Sequence, residues 1–358
     1  MNLEPVARPK SAEPWSRTTT QARLMQIVAS LVPILISAAA WLVVGVDPIV
    51  VVMFILLPLL LISIGTVGFV LKGKRGVPDA ILIVMTLFLG TFVMVLLLSV
   101  VWSLFDAGFR ALSPHFIYQN NVYVTPTDGL EFGGVGHAII GTLLVVGLST
   151  IITVPLGVAT GVYLTETRSN GRGFVRVVLQ AMAGLPSIVA GLFVYSMLIV
   201  TGVSQYAGWL GAFALVPLML PTVSRVTEEA LKLVPQELRN GALGLGASSW
   251  KAFFQVTLPA AKSGVVTAIL LGVARVVGET APLLLTVFPI AGTNLNLLEG
   301  GMATLPTYIY RFVALGFDTA VARAWGAALV LMILVGILFG LARYISRPKS
   351  LKKKKVKR

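Results

Sequence analysis

The chain has 358 residues, of which 56% are hydrophobic and only 12% are charged, and its mean hydropathy is +0.91. A soluble domain carries about 25% charged residues, so this composition excludes an ordinary soluble enzyme or binding domain. Cysteine is absent, which excludes thiol catalysis, disulfides and thiolate metal sites. The two histidines, His115 and His137, are separated by a polar stretch and lack the spacing of a zinc site.

Long apolar runs predict helices that cross a membrane. A helix needs about 20 apolar residues to span the hydrocarbon core, and lipid forces the backbone to satisfy its own hydrogen bonds. Barrel strands alternate apolar and polar residues, whereas these runs are apolar on all sides. We therefore predict an all-α polytopic membrane protein with about eight transmembrane helices. The predicted spans are Leu24–Val46, Ile49–Leu71, Ala80–Phe105, Ala138–Leu164, Phe174–Thr201, Gly208–Ser224, Ser263–Pro289 and Ala324–Ile345.

The distribution of positive charge predicts the orientation of these spans. The formal net charge is +14, with 28 Lys and Arg residues. If the N-terminus is cytosolic, all but four of them fall on the cytosolic side, as the positive-inside rule requires. The exceptions are Arg110, Arg311 and Arg323 on the other side, and Arg275 within a span. We predict a multi-pass membrane protein with both termini in the cytosol.

The first span has an alternative interpretation as a cleaved signal peptide, because Ser37–Ala40 offers small residues suited to cleavage. About 23 residues precede the apolar run, which is long for the charged region of a signal peptide. Cleavage would also remove the cytosolic N-terminus. We therefore expect the span to be retained in the mature protein.

Composition divides the chain into regions. Residues 1–23 form a cytosolic tail, 24–105 contain three strongly apolar spans, and 106–135 read as an irregular extracytoplasmic loop rich in Asn, Gly, Pro and Tyr. The spans after this loop carry Ser, Thr, Pro and ionisable residues, which survive at membrane depth only when they face protein or a watery cavity. The polybasic tail 347–358 suits anionic lipid better than nucleic acid, although orientation alone also explains it.

The segment Arg225–Lys262 lies between two spans on the predicted cytosolic side. It predicts a helix after Pro235, a turn at Gly246, and a short amphipathic helix around Trp250 that ends at Leu258-Pro259. Such a short amphipathic segment is suited to dock in a groove of another protein.

The sequence NGALGLGASSWKAFFQVTLP within this segment resembles the cytosolic EAA loop of bacterial ABC-importer permeases. Leu185–Tyr195 (LPSIVAGLFVY) and Ala274–Thr286 (ARVVGETAPLLLT) resemble one branch of that family, the PstA-type permeases of the phosphate importer. The resemblance covers roughly Gly136 to Arg343. It implies a type I ABC-importer permease core at 136–346 with a coupling loop at 225–262. The first two of the three N-terminal spans are then accessory.

The resemblance also implies which residues meet the ATPase. The coupling residues that it implies are Asn240, Gly241, Ala242, Gly246, Ala247, Trp250, Leu258 and Pro259. Two of them depart from the motif, since Asn240 and Gly241 stand where it has Glu and Ala.

The partners that the resemblance implies are a second permease subunit (PstC-type), an ATPase dimer (PstB-type) and an extracytoplasmic phosphate-binding protein (PstS-type), with inorganic phosphate as substrate. The chain contains no GxxxxGK[ST] phosphate loop. We therefore expect it to bind no cofactor directly and not to be an enzyme by itself, with ATP hydrolysed by a separate subunit. Membrane lipid is expected as a partner, and nucleic acid is not.

Arg275 and Glu279 lie well within the predicted span Ser263–Pro289. Their spacing places both on one face of a continuous helix, where they can pair. Two interpretations stay open. The pair orients helices as a buried ion pair, or it lines the path of an oxyanion, for which the planar donors of arginine are suited.

Three other functions compete with a phosphate permease. A permease for another oxyanion, such as sulfate, is not separable by these residues, because both anions are tetrahedral. A secondary transporter or channel is expected to distribute ionisable residues over several spans. A membrane-embedded enzyme needs a nucleophile–base pair or a metal cluster on facing spans, and neither is visible.

Overall fold

A computed structural model describes residues 20–45, 47–167 and 169–346 of the chain. Residues 1–19 of the predicted N-terminal tail and the predicted polybasic tail 347–358 lie outside the described residues. The described residues divide into two compact units, with the boundary between Val101 and Trp102. The division of the chain into a cytosolic tail, three N-terminal spans, an extracytoplasmic loop and a permease core stays a prediction.

The first unit is built from apolar helices. Asp47 caps the second helix by accepting a hydrogen bond from the Ile49 amide at 2.8 Å. The hydroxyl of Ser63 donates to the carbonyl oxygen of Ala29 at 2.7 Å and joins the first and third helices. The helices are α1 (Thr20–Val44), α2 (Pro48–Val51), α3 (Leu57–Lys72) and α4 (Gly76–Phe109), with a π-helical turn at Val52–Leu56 and a 3₁₀ turn at Gly73–Arg75; α4 continues past the unit boundary.

Gly73 separates α3 from α4. Its φ of +66° lies in the region that favours glycine, and it ends α3. The two helices then meet closely, since a Cβ on Gly68 would lie 2.5 Å from the carbonyl oxygen of Gly76. Glycine at these positions therefore allows the chain to break between the predicted second and third spans.

The second unit contains the remaining helices. Its core lies where the helices Gly136–Glu166, Gly208–Lys232 and Leu258–Val277 pack through glycine. A Cβ on Gly161 would lie 2.8 Å from the carbonyl oxygen of Ser224, and one on Gly272 would lie 2.6 Å from the Val223 side chain. The helices are α5 (Pro114–Tyr118), α6 (Gly136–Glu166), α7 (Gly171–Ala183), α8 (Ser187–Val194), α9 (Gly208–Lys232), α10 (Gln236–Gly244), α11 (Ser249–Ala252), α12 (Leu258–Val277), α13 (Ala281–Thr286), α14 (Leu305–Leu315) and α15 (Asp318–Ser346), with π-helical turns at Tyr195–Val200 and Phe253–Thr257.

Six helical segments of the described chain are long and apolar enough to cross a membrane, or seven if a bent pair counts as one span. One of the six, Pro48–Phe109, runs for 62 residues and contains the break at Gly73. The expected all-α membrane architecture is confirmed. The number of about eight crossings stays a prediction.

The predicted span Phe174–Thr201 is wrong as a single helix. α7 and the following α8 with its π-helical turn are bent by 98° at Gly184–Pro186. Pro186 has no amide hydrogen to continue the helix, and its ψ of 134° turns the chain.

Arg323 of α15 holds the loop that precedes α6. Its side chain is fully buried, and its Nη2 donates to the carbonyl oxygens of Asp128, Gly129 and Phe132 at 2.9, 2.7 and 3.1 Å. The loop is also closed by the Asp128 carboxylate, which accepts from the hydroxyl and the amide of Thr125 at 2.6 and 2.7 Å. These two hydrogen bonds lower the pKa of Asp128 below its ordinary value of 3.8.

Candidate functional site

The helix that carries Arg275 ends before it reaches Glu279. α12 stops at Val277, Gly278 follows it, and α13 begins at Ala281. The predicted span Ser263–Pro289 is therefore interrupted, and its helix begins earlier than expected, at Leu258. The interruption follows from Gly278 and Pro282, because glycine favours helix ends and proline favours the first turn of the next helix.

The expected pairing of Arg275 with Glu279 is wrong. Because the helix ends between them, the two residues do not share a helical face, and no ion pair joins them in the described part of the chain. The Arg275 side chain is exposed and that of Glu279 is half-buried. This finding excludes the interpretation in which Arg275 and Glu279 form an ion pair with each other. Both side chains are therefore available to other partners.

The broken helix packs against the bent one. A Cβ on Gly191 of α8 would lie 2.5 Å from the Cα of Pro282 in α13, so these helices approach more closely than any side chain allows. The hydroxyl of Thr286 donates back to the Pro282 carbonyl at 2.8 Å. The two segments that resemble PstA-type permeases, Leu185–Tyr195 and Ala274–Thr286, thus meet at glycine and proline.

The segment between α9 and α12 has the predicted helix–turn–helix form. α10 begins directly after Pro235, and the turn contains Gly246 at a φ of +85°. Ser248 then caps α11 by accepting from the Lys251 amide at 3.4 Å. The expected end at Leu258-Pro259 is wrong, because helical structure continues through a π-helical turn into α12 and Pro259 lies in the first turn of α12, where proline is tolerated.

The eight residues expected to meet an ATPase are distributed over this segment. Asn240, Gly241, Gly246, Trp250 and Pro259 are exposed, whereas Ala242, Ala247 and Leu258 are half-buried. The structure describes this chain alone, so their contact with another subunit stays a prediction.

Large apolar side chains are exposed on the same segment. Leu245 is 92% exposed and Trp250 is 72% exposed. Phe253, by contrast, is buried against Leu231 and Ala261 and fixes the segment to the membrane helices. We call residues 236–254 the docking segment. Exposed apolar groups on a firmly held segment are typical of an interaction surface.

Ion pairs that the sequence did not predict connect the helices near the docking segment, and one of them includes a residue of that segment. Arg239 of α10 pairs with Glu166 at the end of α6. Glu228 of α9 is buried, and one of its oxygens accepts from Arg176 at 2.7 Å and from Lys232 at 2.6 Å. The four-residue spacing of Glu228 and Lys232 within one helix could have predicted their pairing. No local spacing predicts the pairing of Glu228 with Arg176 or of Glu166 with Arg239, because the partners lie on different helices.

The histidines do not form a metal site in the described residues, where no group of three His, Asp or Glu side chains gathers. His137 is buried at the start of α6, edge-on to Tyr308 with ring centroids 5.7 Å apart. His115 lies similarly against Tyr118.

The chain is similar in sequence to a known family of membrane proteins and to named members of it. Residues 153–350 match the family described as binding-protein-dependent transport system inner membrane component. The chain is 41% identical over 268 residues to the phosphate transport system permease protein PstA of Mycobacterium leprae (strain TN), which covers 72% of this chain and 87% of the relative. It is 40% identical over 239 residues to PstA of Haemophilus influenzae, covering 66% and 82%.

Solved structures share the fold. A chain of a bacterial alginate ABC transporter in complex with a pentasaccharide-bound periplasmic protein is similar with a TM-score of 0.53 and 19% identity, covering 75% of this chain and 96% of that chain. A chain of the inward-facing MetNI methionine ABC transporter is similar with a TM-score of 0.51 and 20% identity, covering 60% and 94%.

Proposed function

We propose that this chain, which belongs to the family of binding-protein-dependent transport system inner membrane components and within it to the PstA-type phosphate permeases, moves inorganic phosphate inward as the permease subunit of an ABC importer. Its relatives are phosphate transport permeases. The feature that carries the mechanism is the docking segment, which joins an exposed apolar surface to the membrane helix α12.

The docking segment transmits the energy of ATP hydrolysis into the membrane. Trp250 and Leu245 insert into a groove of the ATPase subunit, and the amphipathic α11 follows the movement of that groove. Because helical structure runs from Ser249 to Val277 without a loop, a displacement of α11 moves the base of α12. This chain binds no cofactor and hydrolyses no ATP. A PstB-type dimer binds ATP and hydrolyses it.

The break at the end of α12 forms part of the phosphate path. Arg275 supplies planar guanidinium donors that match a phosphate oxyanion. Glu279, half-buried beyond the break, opposes the anion and prevents it from binding too tightly to leave. The path is completed by a PstC-type permease, and phosphate is delivered by a PstS-type binding protein on the opposite face from the ATPase.

The topology follows from the positive-inside rule and the break at Gly73. Dividing Pro48–Phe109 at Gly73 and counting the bent pair as one span gives about eight crossings. Both termini then lie in the cytosol. The chain lacks cysteine, so single cysteines at Tyr123 and Leu245, both almost fully exposed, report the side of each loop. We expect an impermeant maleimide outside intact spheroplasts to label Tyr123→Cys and not Leu245→Cys.

Two sets of variants test the function. Leu245→Ala with Trp250→Ala removes the apolar contact, and we expect the ATPase to be lost on co-purification. The matched control is Leu295→Ala with Leu298→Ala, about equally exposed on the loop between α13 and α14. Retention of the ATPase by the docking variant would contradict the assignment.

Arg275→Gln and Glu279→Gln test the path in the reconstituted importer with labelled phosphate. Loss of a bidentate charge-assisted contact predicts at least about tenfold lower uptake by Arg275→Gln. Arg110→Gln, an exposed arginine in the second unit, is the control. Normal uptake by both path variants, or uptake that needs no ATP, would overturn the proposal; preferential uptake of sulfate would redirect it to another oxyanion.

A further inference from the structure

Basic side chains from three helices converge beside the docking segment, away from the break at Arg275. They line two adjoining cavities of about 220 Å³ and 340 Å³, which share Arg176 and Lys232. The basic residues that line one or both cavities are Arg172 and Arg176 of α7, Arg225 and Lys232 of α9, and Arg239 of α10.

Acidic residues offset only part of this charge. Glu166 is the acidic residue that lines the smaller cavity, against four basic ones. Glu228 and Glu229 line the larger cavity, against three basic residues. The smaller cavity therefore has a clear excess of positive charge and attracts an anion.

The way the charges are paired leaves N–H donors of Arg176 and Lys232 available to a ligand. Glu228 accepts one hydrogen bond each from Arg176 and Lys232. A guanidinium has five N–H donors and an ammonium has three, so both residues keep unused donors while Glu228 holds them in place. Arg172 and Arg225 form no ion pair with any residue that the structure describes.

We propose that these cavities form a binding site for a phosphate group, either inorganic phosphate or the phosphodiester of an anionic lipid head group. The size of the smaller cavity supports this class, since 220 Å³ lies below the range of about 300–1,000 Å³ typical of sites for larger organic ligands. Arginine and lysine from several helices are the usual ligands of phosphate groups, and basic pockets between membrane helices bind acidic head groups.

Both sources of the phosphate group can reach the site. α7 exposes Phe174 and Val177, which are 73% and 65% exposed, so an acyl chain has an apolar surface beside the cavities. Inorganic phosphate reaches them from solvent. Either ligand connects α7 and α9 to Arg239 of α10, so its binding stiffens the docking segment against the membrane helices.

The test uses the full chain purified in its complex, with the double variant Arg172→Gln/Arg225→Gln. The matched control Lys262→Gln/Arg343→Gln removes the same charge at exposed positions that line neither cavity. Thermal unfolding is measured in sodium phosphate and in sodium chloride of equal ionic strength. Native mass spectrometry measures retention of phosphatidylglycerol and of phosphatidylcholine.

If inorganic phosphate is the ligand, phosphate raises the unfolding temperature of the wild type and the control, and the variant requires at least about tenfold more phosphate for the same shift. If a head group is the ligand, the wild type and the control retain phosphatidylglycerol in preference to phosphatidylcholine, and the variant does not. The absence of both effects in the wild type, or their persistence in the variant, overturns the proposal.

Folding of the variant is checked by its assembly and its unfolding temperature in chloride. If the glutamine variant does not assemble, Arg172→Lys/Arg225→Lys replaces it, since lysine keeps the charge and loses the bidentate contact. We expect a weakened ligand effect in the lysine variant, and an undiminished one would contradict the site.

Discussion

The carboxylate of Glu166, the last residue of α6, forms an ion pair with the guanidinium of Arg239 in α10. This pair connects a membrane helix to the docking segment. Both side chains are largely shielded from solvent, with exposures of 16% and 32%. Interactions of this kind are screened less by water and salt than exposed ones.

A double-mutant cycle with Glu166→Gln and Arg239→Gln should give a coupling energy of about 0.5–3 kcal/mol in the free energy of unfolding. The control cycle uses Lys72→Gln and Asp79→Asn, whose ion pair at 3.5 Å is well exposed and should give about 0–1 kcal/mol. We also expect Glu166→Gln to raise the ATP hydrolysed per phosphate transported. An unchanged ratio would show that the pair does not transmit movement.

Gly246 should resist substitution by alanine. Its φ of +85° costs a side-chain-bearing residue about 1–2 kcal/mol, so Gly246→Ala should lower stability and weaken ATPase binding. Gly241, within α10 and with open space around it, is the control, since alanine there should stabilise the helix by about 0.5–1 kcal/mol. Thermal unfolding and co-purification measure both effects, and equal behaviour of the two variants would contradict the turn.

Gly191→Ala should disrupt the contact between α8 and α13. The added Cβ meets the Pro282 backbone at 2.5 Å, and overpacking of this kind costs about 1–3 kcal/mol. We expect lower stability and lower phosphate uptake. Gly173→Ala in α7 introduces the same methyl group into open space and should leave uptake unchanged.

Arg323→Gln should destabilise the loop before α6. Loss of the buried guanidinium leaves three carbonyl oxygens without this donor, at an expected cost of about 3 kcal/mol or more in the free energy of unfolding. Arg110→Gln at an exposed position should change stability by no more than about 0.5 kcal/mol. Similar unfolding temperatures for the two variants would exclude this role of Arg323.

The lowered pKa of Asp128 predicts how the same loop responds to acid. A carboxyl group with a lowered folded pKa stabilises fully above its unfolded pKa of about 3.9, and the stabilisation is lost as the pH falls through the folded value. The Thr125 amide should therefore keep its protection from hydrogen exchange at pH 5–7 and lose it only when the pH falls below the ordinary pKa range of aspartate. Asp128→Asn should abolish that acid transition, whereas Asp106→Asn should retain it.

The sequence alone determined the membrane class and most helices. Apolar length is a local property, because each span must satisfy its own backbone in lipid, so six of the eight predicted spans correspond to helical segments whose ends differ by up to eight residues. The turn at Gly246 and the helix after Pro235 were likewise predictable, since glycine and proline act through their own backbone angles.

The tertiary structure decided what happens where helices break. The spacing of Arg275 and Glu279 predicted a pair only on the assumption that the helix continued to Glu279, and it ends at Val277. The bend before α8 follows from Pro186 itself, whereas the contact of α8 with α13 depends on packing between Gly191 and Pro282, which are distant in sequence.

The charges show the same division. Local spacing predicts contacts within one helix, such as Glu228 with Lys232, but not the approach of Arg176 or the pairing of Arg239 with Glu166. The sequence identified a docking segment by its own pattern of residues. Only the folded chain shows what supports that segment, because the supporting groups come from helices whose positions are set by packing.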